Sequence, residues 1–176
     1  MLDLNRLRED AERAIRGAFP EGEAPPPAAM RNDHCPECQE TAARFTGKQW
    51  SSIAVGDLRG NLAPSLLTAP AFRYYLPAMM LLCMEFPLEL GVLPDGVIGE
   101  LSPVGTPSSA EDVERLSFTQ AQARAIVGFL RFFELRDKLE WSEPDWPDEA
   151  ILSVPTERPL ERAIKVWTAR ASDDVA

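Results

Sequence analysis

The chain has 176 residues, 45% of them hydrophobic, which is enough for one domain with a real core. Its formal net charge of −10 repels a phosphate backbone, and no basic patch offsets it, which argues against nucleic-acid binding. Three cysteines are too few, and odd in number, for a disulfide-framed secreted domain. The opening "MLDLNRLRED" has no apolar core of a signal peptide. The longest apolar run, Leu76 to Met84, falls far short of the ~20 residues of a membrane span. No membrane association and a reducing cytoplasm are therefore expected.

In chain order, residues 1–19 predict an N-terminal helix. Leu4, Leu7, Ala11, Ala14, Ile15 and Ala18 recur at three- and four-residue steps and share one face. "PEGEAPPPAAM" stops that helix, and residues 20–32 read as a Pro-rich linker or as a strap lying over the domain. A helical core domain is expected over residues 33–170. Its first helix starts at Cys35 or Pro36, with Asp33 and His34 in capping positions, and ends near Gly47. One or two short helical turns follow, around Trp50, Ile53 and Leu58.

Thr68 is placed to cap the next helix, read as two pieces, Ala69 to Tyr75 and Leu76 to Phe86. Pro77 separates them, as a kink or a new start. The second piece is apolar nearly all round, the mark of a central buried helix. Residues 87–108 carry prolines at 87, 94, 103 and 107 and glycines at 91, 96, 99 and 105, and read as a long loop with a weak strand signal at Val97 to Leu101. Ser109 caps a short helix over Ala110 to Leu116. Thr119 and Gln122 form a capping box for a helix from Gln120 to about Lys138. Pro159 opens the last helix, and residues 171–176 form a frayed tail. No β alternation is sustained. The expected fold is all-α: a single-domain irregular helical bundle of about six helices around a central apolar helix (76–86), with Pro-rich loops.

Chemistry concentrates in "DHCPECQE", which holds the single histidine and two of the three cysteines. Thiolate and imidazole suit zinc, so His34, Cys35 and Cys38 form a candidate metal set, although a structural zinc wants a fourth ligand and the local sequence supplies none. Cys35, at a helix N-terminus within Cys-x-x-Cys, also fits a thiol-redox role, because the helix dipole favours its thiolate. A Cys35 nucleophile with His34 as base lacks an orienting group. The plainer reading makes Cys38 a small hydrophobe on the inner helix face with Ala42 and Phe45. Cys83 reads as core.

His34-Cys35-x-Glu37-Cys38-x-Glu40, then Gly47-Lys48-x-Trp50, then Ala71-Phe72-Arg73-Tyr74-Tyr75-Leu76-Pro77, resembles an uncharacterised bacterial family known only as a domain of unknown function. The likeness is clearest over residues 30 to 85, with a weaker echo at "LSFTQAQARAIVGFL". It implies a cytoplasmic bacterial protein and no particular activity. It also directs attention to Trp50, Arg73, Tyr74 and Tyr75. One reading makes them a pocket floored by Trp50 and Tyr74, with Arg73 holding an anion. The other makes the aromatics packing anchors between the cysteine helix and the central helix, with Arg73 paired to Glu37 or Glu40.

A second surface spans residues 134–149, where acids outnumber bases and Trp141 and Trp146 are interleaved. Glu140, Trp141, Glu143, Asp145 and Trp146 are its candidate partner residues, aromatic anchors within a charged rim. Together these features point to a small acidic cytoplasmic protein acting by protein–protein binding, in its most concrete form an immunity or antitoxin-like partner of a basic protein. A metal-binding or thiol-redox protein, with zinc as the metal, is the alternative. An enzyme of unknown class comes third, since one histidine and no paired acid–base motif leave little to build on.

Overall fold

The structure is a computed structural model that describes residues 3–30, 36–60, 62–103, 109–140 and 158–172. Among these residues it contains eight α-helices, three short 3₁₀ turns and no strand. Helix α1 (Leu4–Ala18) begins at Asp3, whose carboxylate accepts the Asn5 N–H at 3.0 Å. Its stripe of apolar residues buries Ala11 and Ile15 against the long helix α7 (Gln120–Glu140). The two helices approach closely because Gly128 has no side chain. A Cβ there would lie 3.4 Å from the Cα and Cβ of Ala11.

After α1 the chain crosses the start of α4 (Ala69–Glu85). Met30 is fully buried, the Thr68 hydroxyl donates to the Ala29 carbonyl, and the Tyr74 hydroxyl donates to the carbonyl of Gly22. Helix α2 (Pro36–Phe45) follows, with Cys38, Thr41, Ala42 and Phe45 turned inward. The one-turn helix α3 (Val55–Leu58) is pinned by Asp57. One of its carboxylate oxygens accepts the Ala54 N–H at 3.0 Å and the other meets Lys48 Nζ at 2.6 Å. That lysine holds the Asp57 carboxyl below its usual range.

Pro77 neither ends nor restarts α4. The expected central helix 76–86 is the second half of one 17-residue helix. A proline inside a helix costs about 3 kcal/mol, through the lost hydrogen bond and the ring clash. Burying one large apolar side chain gives back about 1.5–3 kcal/mol, and α4 buries Phe72, Tyr75 and Leu76 before the proline and Met79, Met80, Leu81 and Met84 after it. Burial on both sides therefore wins over the local break.

Residues 93–100 are likewise helical. The loop and the Val97–Leu101 strand expected there are replaced by α5 (Leu93–Glu100), with Pro94 in its first turn, where a missing N–H costs nothing. Leu93, Val97 and Leu101, four residues apart, are all buried. Helix α6 (Ala110–Arg115) starts in a capping box between Ser109 and Asp112, and α7 in one between Thr119 and Gln122. Helix α8 (Pro159–Ser172) packs on α7 and α5, and the Trp167 indole N–H donates to the Leu101 carbonyl at 2.7 Å. One core runs through all the long helices. Among the described residues no helix is long and apolar enough to cross a membrane.

Candidate functional site

Pro70, Arg73, Tyr74 and Pro77 stand at helical spacing i, i+3, i+4 and i+7 and so share one face of α4. That face forms one side of a cleft of about 330 Å³. The end of α1 contributes Phe19 and Pro20, the turn Trp50–Ser52 contributes Trp50, and the segment from α6 to α7 contributes Glu114, Phe118 and Gln122. The volume lies in the range of small-ligand pockets.

Tyr74 fixes the geometry of one wall. Its hydroxyl has the Gly22 carbonyl at 2.9 Å and the Gln49 side-chain oxygen within reach. Burial pushes its pKa up, while the Trp50 main-chain N–H facing the same oxygen pulls the other way. The phenol thus ties the segment before the 3₁₀ turn, and the segment after α1, to α4. Tyr75 faces away from the cleft. It is fully buried, 4.6 Å from the Phe45 ring, with its hydroxyl 2.9 Å from both the Phe45 and Lys48 carbonyls. Burial, with a smaller effect from Tyr74, pushes its pKa up to about 12. Tyr75 is the bolt that fastens the end of α2 to α4.

Arg73 is half-buried. Its guanidinium sits 5.6 Å from the centre of the Phe118 ring, a cation–π arrangement. The expected pairing with Glu37 or Glu40 is not formed. Glu40 meets Arg44 at 3.3 Å instead, and Arg44 also donates to the Arg59 carbonyl. Arg73 lies beside Phe118, on the α4 face that lines the cleft. The Arg73 Nε–H is buried without an acceptor, and so is the indole N–H of Trp50, a residue only 5% exposed. A buried donor left unsatisfied costs about 1–3 kcal/mol. Pro77 adds to the imbalance, since without an N–H it deprives the Arg73 carbonyl of its usual helical donor. The cleft therefore gathers unmet hydrogen-bonding capacity, from α4 and from the Trp50 turn, beside apolar walls.

The chain matches the model of a family of unknown function, DUF6714, over residues 9–170. It belongs to that family. No curated protein and no solved structure matches it. The DUF6714 span contains every residue lining the cleft, and it extends well beyond the 30 to 85 stretch in which the likeness is clearest by eye.

Of the sequence-predicted site residues, the cleft brings together Trp50, Arg73 and Tyr74 and leaves out Tyr75. Phe19, Glu114 and Phe118 carry no signal of their own in the sequence, because each reaches the cleft from a different element. Gln122 was visible only as a cap. Cys38 is buried on the inner face of α2 and is disulfide-bonded, whereas Cys83 is a free thiol buried in α4, its pKa pushed up by that burial. His34 and Cys35 lie outside the described residues. Among those described, no group of three or more histidine, cysteine, aspartate or glutamate side chains is gathered to hold a metal ion. Of the acidic partner surface, Glu140 is the last residue of α7, exposed and 3.5 Å from Arg136 Nε. Trp141, Glu143, Asp145 and Trp146 lie outside the described residues.

Proposed function

We propose that this protein works by binding another protein, and that the cleft beside Arg73 is the centre of recognition. The observation that carries the reading is the state of Arg73. Among the described residues it is the one half-buried Arg or Lys that has neither an ion pair nor a hydrogen bond. In a chain with 28 acidic and 18 basic residues, a half-buried cation left without a carboxylate is an exception. A seat for an acceptor supplied from outside accounts for it. The net charge of −10 supports the same reading at longer range, because it speeds the approach of a basic partner. An immunity- or antitoxin-like role against a basic toxin is the concrete form of the proposal.

The test is site-directed photo-crosslinking, with the crosslinking residue at Glu114 on the cleft and, as a control, at the exposed Arg13 on α1. The expected result is one protein captured from position 114 and not from 13, with capture lost on Arg73→Ala. Equal capture from both positions, or none from 114, overturns the proposal.

A thiol-redox role is a second reading, favoured by the disulfide at Cys38 in the first turn of α2. Its test is the reduction potential of that disulfide. A value near those of thiol–disulfide exchange proteins supports it, and one below about −300 mV makes the bond structural.

A further inference from the structure

We infer that the cleft takes an apolar group ending in a single carboxylate. The inference rests on the binding reading above and names the chemistry that the site would recognise.

The charge inside the cleft sets the first limit. Arg73 and Glu114 are its two ionisable charges of opposite sign, and they form no ion pair with each other. Arg73 is half-buried and no described carboxylate pairs with it, so an anionic acceptor would gain an ion pair that a neutral one would not. A phosphate group brings about −1.5 to −2 at neutral pH to a site with one cation and a resident carboxylate, and would leave a larger excess of negative charge than a carboxylate does. A carboxylate brings a single charge and matches the planar guanidinium fork.

The donors set the second limit. The Phe118 ring lies on one side of the guanidinium, 5.6 Å from ring centre to the guanidinium carbon, which leaves its edge as the side open to a ligand fork. The Arg73 Nε–H and the Trp50 indole N–H both lack an acceptor. Both nitrogens are shut off from solvent, so a carboxylate would meet the outer N–H groups of the Arg73 guanidinium, and these two would report on it from beside the cleft.

The walls set the third. Phe19, Phe118, Pro20, Pro70 and Pro77 offer no polar side-chain group. Tyr74, Glu114 and Gln122 supply the polar part of the lining, and the apolar walls call for a largely apolar body beyond the carboxylate. Two sources share this chemistry: the C-terminal carboxylate of a polypeptide ending in an apolar residue, and a free aryl or alkyl acid.

The experiment follows the Trp50 indole N–H and the Arg73 Nε–H by ¹⁵N NMR in the intact chain, with resonances assigned from Trp50→Phe and Arg73→Lys. The probes are 3-phenylpropionate, its primary amide, phenyl phosphate, and an acetylated tripeptide ending in phenylalanine with a free or an amidated C-terminus. The expected result is a saturable shift of both resonances by the free acids. The amides should bind roughly tenfold or more weakly, as loss of a charged hydrogen bond requires. Phenyl phosphate should bind no more tightly than the acid. Glu114→Gln should tighten acid binding several-fold by removing a like charge. Arg73→Lys should weaken it with the rest of the spectrum unchanged.

Acid and amide binding alike, or no shift with any acid, overturns the inference. Because that comparison uses the unaltered chain, it stands even where a variant fails to fold. Capture from position 114 without a preference for acids keeps the binding reading and removes this one. Binding of the small acid but not of the tripeptide acid keeps the carboxylate and takes the protein partner out of the cleft.

Discussion

Tyr75 holds its hydroxyl between two main-chain carbonyls, and that placement has a measurable consequence in alkali. Its pKa is raised from 10.0 to about 12, chiefly by burial, and Tyr74 is raised as well. A raised folded pKa means that the neutral phenol is favoured in the native state. The stabilisation is fully present below pH 10 and is lost as pH rises through about 12. The chain has two tyrosines, so tyrosinate absorbance reports them directly. Between pH 10 and 11 the native protein should show less tyrosinate than the urea-unfolded chain, which titrates near 10, because Tyr75 stays neutral and Tyr74 titrates late. Coincident curves would refute the assignment. Arg115 makes the same point with a cation. It is 11% exposed, bonded to Glu100 at 2.7 Å and to the Leu67 and Pro64 carbonyls at 2.7 and 2.6 Å, and it lies 4.4 Å from the centre of the Phe72 ring. Lysine keeps the charge and loses the fork. Arg115→Lys should cost roughly 2–4 kcal/mol, seen as a lower urea midpoint at unchanged m-value. For Tyr75 the sequence offered the role of an anchor between the cysteine helix and the central helix but not its partners, and for Arg115 it offered no role. Their partners are 15 to 51 residues away, and no local pattern encodes such a distance.

Helix caps were legible because they are local. Thr68, Ser109, and Thr119 with Gln122 each cap the helix that follows. Two elements were not legible, and for one reason: proline and glycine dominate their local signal, and burial decides against it. In α5, the spacing of Leu93, Val97 and Leu101 was present beneath Pro94, Gly96 and Gly99. In α4, burial on both sides of Pro77 holds the helix together at a local cost, and that cost can be measured. Pro77→Ala restores an N–H for the Arg73 carbonyl and recovers about 3 kcal/mol of helix penalty, less some lost packing of a buried ring. The expected net is a stabilisation of about 1–2 kcal/mol, with weaker ligand binding because the cleft wall loses a proline. A destabilised Pro77→Ala variant would show instead that the ring's packing outweighs the penalty. At the α1–α7 crossing, Gly128→Val should cost about 1–3 kcal/mol, since the new side chain meets Ala11 backbone at 3.4 Å before its branches are added.

At the scale of the whole molecule, the all-α class was legible from periodicity, whereas the cleft was legible only in part. "AFRYYLP" marked the α4 face, but its opposing walls come from the end of α1 and from the segment joining α6 to α7. A site assembled from chain segments roughly 100 residues apart is set by how the helices stack, and that stacking depends on the last element. Helix α8 buries Ala163, Ile164 and Trp167, and Trp167 meets Phe118 edge-on at 5.6 Å while its N–H holds the Leu101 carbonyl. Phe118 in turn lies under Arg73 and against Phe19 at 6.1 Å. The chain of contacts α8–Phe118–Arg73 makes the C-terminal helix a support for the cleft. Trp167→Ala should cost about 3–5 kcal/mol, a large share of the 5–15 kcal/mol typical of a domain. Trp167→Phe should cost less, since it keeps the aromatic contact and loses the hydrogen bond. If α8 supports the cleft, Trp167→Phe should also move the Arg73 Nε–H resonance, although residue 167 is not among the cleft's lining residues. A stable Trp167→Phe protein with an unmoved Arg73 signal would separate α8 from the site and leave it a role in the core alone.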